Sequence, residues 1–152
     1  MDRQRLTKVL DLAEALCRKR GARLTAQRRQ VLEIVCAASR PVGAYEILAA
    51  MRDLRPSAAP PTVYRALDFL LQQGLVHRLE TLHAFLGCNH PEHPHSSQFL
   101  ICAECGEVTE LEDEAIARSL RSAAHESGFR PKHRVVEVIG ICEHCVHGSS
   151  GE

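Results

Sequence analysis

Two Cys-x-x-Cys pairs are the residues of this chain best suited to chemistry: Cys102 with Cys105, and Cys142 with Cys145. Two thiolates in one tight turn can bind a single Zn²⁺, and two such turns complete a closed tetrahedral site. A redox-active centre would need only one pair, placed where a helix starts after a strand. The two pairs therefore predict a structural zinc site formed by all four cysteines.

The elements around the two pairs must bring them together. Residues 106–141 separate the pairs, which is more than the roughly 15–20 residues of a simple zinc ribbon. The sequence pattern predicts strands near 98–102 and 107–111, a helix from about 113 to 127 and a strand over 134–140. Zinc would then tie together the ends of a small α/β domain, as a disulfide does in a secreted protein.

The first half of the chain predicts a different domain. Apolar periodicity and turn residues predict helices over 3–20, from Thr25 onward, over 45–54 and over 62–73. Two short alternating strands follow, with a turn near 80–82. Several short helices followed by a two-stranded hairpin are typical of the winged-helix variant of helix-turn-helix.

These patterns predict an α+β protein with two domains. We expect a winged-helix DNA-binding domain over 1–84, a linker rich in Pro and His over 85–97, and a small α/β domain with an antiparallel sheet over 98–147. Domains this small bury little core alone, so each needs a metal or a partner subunit.

The composition indicates where in the cell the protein is expected and which kinds of partner it can bind. The 152 residues contain no apolar run long enough for a membrane span and no signal-peptide pattern at Met1, so we expect a cytoplasmic protein with no membrane partner. Seven cysteines, an odd number, then indicate metal binding rather than disulfides. The absence of Trp argues against a base-stacking surface for single-stranded nucleic acid.

A net charge of zero hides an asymmetry between the two halves. Residues 1–82 contain 14 Lys/Arg and 8 Asp/Glu, whereas residues 83–152 contain 5 Lys/Arg and 11 Asp/Glu. Eight of the nine histidines lie at or after position 83. This distribution predicts an N-terminal half that faces a polyanion and an acidic, histidine-rich C-terminal half.

The fourth helix is the predicted recognition helix. Arg65 lies on its first turn, opposite Val63 and Leu67, so its guanidinium can donate two hydrogen bonds to a guanine in the major groove. Thr62 and Tyr64 are predicted to hold phosphates or to pack on a thymine methyl group.

Three further residues are predicted to contact the DNA backbone. Arg28, Arg29 and Tyr45 lie near the starts of preceding helices, where contacts to phosphate fix the register without specifying sequence. The alternative interpretation makes Tyr64 a core aromatic and Arg65 an ordinary surface charge. The clustering of all six residues in the basic half favours double-stranded DNA as the partner.

At these residues the chain resembles the ferric-uptake-regulator family. The matching segments are Leu24–Leu32, Pro61–Leu67, Cys102–Gly106 and His133–Cys145, in the family's order and across most of the chain. The segment Pro60–Leu70 is especially similar to the zinc-uptake regulator branch. The resemblance implies a homodimeric, metal-dependent transcriptional repressor whose C-terminal domain mediates dimerisation.

A sensor of this kind needs a second metal site, because a closed four-thiolate site binds too tightly to report ordinary fluctuations. The candidates flank the linker: His77 on the wing, Cys88 and His95 at the linker, and Glu110 at the end of a strand. One sulfur, two nitrogen and one oxygen donors suit tetrahedral Zn²⁺ and disfavour Mn²⁺ and Mg²⁺. The zinc-uptake branch implies the same set. We therefore expect two Zn²⁺ per subunit, one structural and one regulatory.

Alternatives stay open at this second site. His90 or His93 could replace His95, and His77 or Glu110 could be solvated surface groups. Whether the linker thiol also responds to oxidation stays open as well.

A complete third site is not predicted. In some family members such a site joins linker histidines, a helix carboxylate and the histidine matching His133, but the helix position here is Ala117. Cys17 and Cys36 fall on apolar helix faces and are predicted to be packed core thiols.

These observations predict a zinc-responsive repressor that binds operator DNA as a zinc-loaded homodimer and shuts off zinc-uptake genes. The alternative is an iron-, manganese- or peroxide-sensing repressor of the same family, which the thiol of Cys88 argues against. A zinc hydrolase with Glu110 as general base is disfavoured, because four protein ligands leave no position for water. We expect no enzymatic activity and no small-molecule ligand other than a metal ion.

Overall fold

The computed structural model describes residues 3–132 and 134–148. The chain divides into two compact units, Met1–Pro94 and His95–Glu152. The first unit contains α1 (Arg3–Lys19), α2 (Ala26–Ala37), α3 (Ala44–Leu54), α4 (Pro60–Gln72), β1 (Val76–Leu79) and β2 (Ala84–Gly87). The second contains β3 (Gln98–Cys102), β4 (Val108–Leu111), α5 (Glu114–Glu126), β5 (Glu137–Gly140) and α6 (Glu143–Gly148).

Local signals set the helix boundaries in the first unit. The hydroxyl of Thr25 accepts a hydrogen bond from the backbone N–H of Arg28 at 3.4 Å, so Thr25 caps α2 as predicted. Helix α4 begins at Pro60, one or two residues before the start predicted at Pro61 or Thr62, because the fixed φ of proline and its missing N–H suit the first helical turn. Gly74 follows α4 with a φ of 66° and lets the chain turn into the hairpin.

The four helices bury their apolar faces in one core. The buried helical residues of this core are Leu10, Ala13, Cys17, Val31, Leu32, Val35, Cys36, Ile47, Leu48, Met51, Val63, Ala66, Leu67 and Leu70. Burial of each large aliphatic side chain contributes about 1.5–3 kcal/mol. The prediction that Cys17 and Cys36 are core thiols is confirmed.

The two strands of the first unit form the predicted wing. β1 and β2 pair in antiparallel fashion, and Val42 adds a short bridge to Phe85, with backbone hydrogen bonds of 3.0 and 2.8 Å. His83, in the connecting turn, has a φ of 48°. The bridge ties the loop before α3 to the hairpin and so fixes the wing to the helices.

The second unit contains a three-stranded sheet in the order β4-β3-β5. β3 and β4 are antiparallel, as predicted for the sheet, but β3 and β5 are parallel, so the sheet is mixed. Parallel strands cannot be joined by a tight hairpin, and the intervening β4 and α5 provide the crossover. The side chain of Asp113 caps α5 by accepting from the N–H groups of Ala115 and Ile116.

Two features of the second unit differ from the sequence prediction. β5 begins at Glu137 rather than near residue 134. Helix α6 was not predicted, because six residues are too few to show a helical period. In the part of the chain that the structure describes, no helix is both long and apolar enough to span a lipid bilayer.

We expect Gly87→Ala to destabilise the first unit by about 1–3 kcal/mol, the usual cost of overpacking a core. A Cβ atom at Gly87 would lie 2.8 Å from the Sγ of Cys36, so the wing and α2 would have to separate. Urea unfolding followed by circular dichroism measures this cost. In a Cys36→Ala background the same substitution should be nearly neutral, and an equal cost in both backgrounds would contradict the explanation.

Candidate metal centres and nucleic-acid interface

The four cysteines of the two pairs lie together in the second unit. Cys102 ends β3, and the parallel pairing of β3 with β5 sets it beside Gly140, just before the second pair. All four Sγ atoms lie within 4.8 Å of one another, and those of Cys105 and Cys142 are 3.6 Å apart. Zn–S bonds of about 2.3 Å in a tetrahedron imply sulfur separations of about 3.8 Å. The cluster therefore has nearly the dimensions of a four-thiolate zinc site.

Backbone donors favour the ionised form of one of these thiols. N–H groups of Cys105 and Cys142 lower the pKa of Cys102 to about 6, and the N–H of Cys142 donates to Cys102 Sγ at 3.3 Å. These hydrogen bonds thus favour the thiolate of Cys102, which is the form that binds metal.

The pKa of Cys145 shifts in the opposite direction to that of Cys102. Hydrogen bonds with the sulfurs of Cys142 and Cys105 raise the pKa of Cys145 to about 12, because they stabilise its protonated form. A divalent cation at the centre would take the place of this proton, since zinc binds the thiolate form. The donor set fits Zn²⁺.

A second candidate ligand pair lies in the same unit, where β3 begins and β4 ends. His95 Nε2 lies 3.3 Å from Glu110 Oε1, and the two side chains are only 10% and 2% exposed. Both are therefore shielded from bulk water, which argues against the interpretation of Glu110 as a solvated acid. A buried carboxylate beside an imidazole is a suitable pair of metal ligands.

Two neighbours of this pair were missed by the sequence analysis. The hydroxyl of Ser97 donates to Glu110 Oε1 at 2.6 Å, and Glu112 Oε1 lies 3.6 Å from His95 Nε2. Ser97 therefore orients the carboxylate of Glu110. The antiparallel register of β3 and β4 places Ser97 near Glu110, and an isolated serine before a strand gives no signal of this in the sequence.

The first unit holds the other two predicted regulatory ligands close together. His77 lies on β1 and Cys88 directly follows β2, where its N–H donates to the carbonyl of Leu75 at 3.0 Å. A ring nitrogen of His77 and the Sγ of Cys88 lie within 4.8 Å of each other, and Cys88 is buried. The pairing of the two strands thus places an imidazole and a thiol together.

The alternative ligands lie elsewhere. The rings of His90 and His93 stack on each other, with centroids 6.3 Å apart and planes at 7°. Among the described residues, neither histidine belongs to a group of three or more ligand atoms. His133, on which a third site would depend, lies outside the described residues.

Three of the six predicted DNA contacts are exposed on the first unit. Arg65 and Tyr64 lie on the first turns of α4 with their side chains exposed. Tyr45, at the start of α3, is 74% exposed. Tyr64 is 46% exposed, which excludes the interpretation of this residue as a core aromatic. Thr62 is half-buried on α4.

The two remaining arginines have partners within the first unit. The guanidinium of Arg28 lies 3.8 Å from the ring centroid of Phe69. Arg29 forms ion pairs with Asp11 and Glu14, both at 3.0 Å. These contacts hold α2 against α4 and α1, and the two carboxylates offset the positive charge that Arg29 would present to phosphate.

The family is decided by comparison with known proteins. The sequence model of the ferric uptake regulator family matches residues 19–139. The chain belongs to the ferric uptake regulator family. Membership makes the protein a transcription regulator rather than an enzyme, as predicted.

Several ferric uptake regulator relatives are similar over nearly the whole chain. The zinc uptake regulation protein of Escherichia coli (strain K12) is 39% identical over 147 residues, which cover 96% of this chain and 86% of that protein. A solved zinc uptake regulator complexed with zinc and DNA has a TM-score of 0.91 and 38% identity, covering 95% of this chain and 97% of that one. The crystal structure of holo XcZur has a TM-score of 0.85 and 44% identity, covering 91% of this chain and 96% of that one.

We expect Cys102→Ser to remove the ordered fold of the second unit and to leave the first unit folded. A structural zinc contributes about 10–16 kcal/mol in small zinc domains, more than a unit of this size gains from its core. Limited proteolysis with mass spectrometry, together with the zinc content, measures the effect.

Cys17→Ala is the matched control, because its thiol lies in the core of the first unit. It should lower the stability of that unit without loss of zinc. A Cys102→Ser protein with full zinc content and a protease-resistant second unit would contradict the assignment.

Proposed function

We propose that this protein is a zinc-responsive transcriptional repressor that binds operator DNA as a homodimer and shuts off zinc-uptake genes. The observation that carries the proposal is its similarity, over nearly the whole chain, to a regulator solved with both zinc and DNA. The thiolate and imidazole donors of the described residues support zinc as the metal, since soft and borderline ligands disfavour Mn²⁺ and Mg²⁺.

We propose that Cys102, Cys105, Cys142 and Cys145 bind a structural zinc. The spacing of their sulfurs and the shifted pKa of Cys102 support this role. A closed site with four thiolates has no open coordination position, so it holds the fold and takes no part in sensing.

We propose that His77 and Cys88 of the first unit and His95 and Glu110 of the second bind one regulatory zinc, which gives two zinc ions per subunit. Within each unit the two residues form a pair, and two donors alone are too few for a stable tetrahedral site. Ser97 would hold the Glu110 carboxylate in place through its hydrogen bond. Zinc bound by all four residues supplies a link between the two units.

Regulation then depends on the fraction of protein molecules that is competent to bind operator DNA. Without the link, the DNA-binding units of a dimer take up the spacing of the half-sites only part of the time, and the apparent DNA affinity falls by that fraction. The coupling is reciprocal, so operator DNA tightens zinc binding by the same factor.

The second unit supports the proposal of a homodimer. β5 is an edge strand of the sheet, and its side chains Val138 and Ile139 are 52% and 55% exposed. Phe129, Val135 and Ile141 are also more than half exposed. Exposed apolar residues beside an open strand edge indicate an interface. A second copy of the chain would provide the two-fold symmetry that a palindromic operator requires.

On the DNA side, we propose that Arg65 contacts a base and that Tyr64, Thr62 and Tyr45 contact the backbone. We propose that Arg28 and Arg29 also contact the DNA backbone but contribute less to binding, because each already forms a contact within the first unit.

We expect Cys88→Ser to abolish the zinc response of operator binding while the structural zinc is kept. The wild-type protein should lose at least about tenfold in operator affinity when a mild chelator removes the regulatory zinc. The variant should bind equally weakly with and without the chelator. Gel-shift titrations on an operator selected from random duplexes by zinc-loaded protein measure both affinities.

His83→Asn is the matched control on the wing. His83 is exposed, lies outside the ligand groups of the described residues, and has a positive φ that asparagine tolerates. It should respond to zinc as the wild type does. A normal zinc response in Cys88→Ser would show that the regulatory ligands are assigned wrongly.

We expect Arg65→Ala to weaken binding to the selected operator by about 1–3 kcal/mol while binding to an unrelated duplex changes little, since a bidentate contact to guanine carries sequence information. Arg18→Ala, on the exposed face of α1, controls for the loss of one positive charge. Fluorescence titrations on both duplexes measure the ratio. An equal loss on both duplexes would make Arg65 a phosphate contact instead.

A further inference from the structure

A second group of metal-ligand atoms lies beside the four cysteines. A carboxylate oxygen of Glu107, the Sγ of Cys142 and a ring nitrogen of His144 all lie within 4.8 Å of one another. Glu107 Oε2 and His144 Nδ1 are 3.9 Å apart. Zinc bonds of about 2.0–2.3 Å place two ligand atoms on one ion about 3–4 Å apart. Small side-chain rotations would therefore bring all three atoms into binding distance.

The backbone holds these residues in place and leaves two of the side chains room to rotate. The carbonyl of Glu107 accepts a hydrogen bond from the N–H of Cys102 at 2.9 Å. His144 lies on the first turn of α6, which directly follows Cys142. The side chains of His144 and Glu107 are 89% and 51% exposed, so they can move toward an ion without displacing other atoms.

A cavity of about 500 Å³ joins this group to the sulfurs of the structural site. Its lining includes Glu107 and His144 together with Cys102 and Cys142. A cation that reaches the sulfurs from this side meets a carboxylate and an imidazole on its way.

We propose that Glu107, Cys142 and His144 form a labile zinc site that shares Cys142 with the four-cysteine site and exchanges zinc with it. The inference rests on the proposed structural zinc. Three protein ligands leave one coordination position for water, so this site binds zinc more weakly than the closed four-thiolate site. A soft thiolate keeps its affinity for zinc in either ligand set, so Cys142 can hold the ion throughout the exchange.

The exchange step is a replacement of ligands without any change of oxidation state. As zinc moves inward, the oxygen of Glu107 and the nitrogen of His144 leave it, and the sulfurs of Cys102, Cys105 and Cys145 bind. A thiol that binds as a thiolate releases its proton to solvent. As zinc leaves, the same bonds form and break in the reverse order.

The test uses the zinc-loaded full-length protein. A heavy zinc isotope is added at buffered free concentrations, and native mass spectrometry follows its replacement of the slowly exchanging zinc. Protection of individual cysteines from alkylation identifies the zinc held by the four cysteines. The double variant Glu107→Gln with His144→Ala should exchange at least about tenfold more slowly.

The double variant Glu104→Gln with His147→Ala is the matched control. Both residues are exposed and near the cysteines but outside the three-donor group, so exchange should match the wild type. Equal rates in all three proteins would overturn the labile site alone. Four unprotected cysteines in the zinc-loaded protein would instead overturn the structural zinc, and the labile site with it.

Discussion

The second unit depends on the parallel pairing of β3 with β5. This pairing sets Cys102 opposite Gly140 and so brings the two Cys-x-x-Cys turns to one end of the sheet. Once together, the four sulfurs share hydrogen bonds, which raise the pKa of Cys145 to about 12. Bound zinc would replace the shared protons and hold both chain segments in place. The strand pairing and the metal would thus stabilise each other.

The two units are stabilised in different ways. The first has an apolar core drawn from four helices and the wing, and Arg65 and Tyr64 of α4 stay exposed. The second has few buried residues and many exposed apolar ones, so we infer that it relies on zinc and on a second copy. In our proposal the regulatory zinc acts on the link between the units and changes neither fold.

Features encoded by neighbouring residues were predicted well from the sequence. The Thr25 cap, the end of α4 before Gly74 and the two Cys-x-x-Cys turns all depend on residue types at short spacing. Features that depend on contacts between residues far apart in the sequence were not predicted. No local pattern shows that β5 pairs in parallel with β3, that Arg28 packs on the ring of Phe69, or that Ser97 donates to Glu110. Each of these contacts joins residues that become neighbours only after the chain has folded.

In the proposed mechanism, occupancy of a second, weaker zinc site switches operator binding. The most direct measurement is the fluorescence anisotropy of a labelled operator duplex against buffered free Zn²⁺, with Fe²⁺ and Mn²⁺ in parallel titrations. We expect binding to switch on with zinc, in the range where Cys102, Cys105, Cys142 and Cys145 are already occupied, and we expect Fe²⁺ and Mn²⁺ to have little effect. Tight binding that ignores zinc, or that follows iron or manganese instead, would contradict this mechanism.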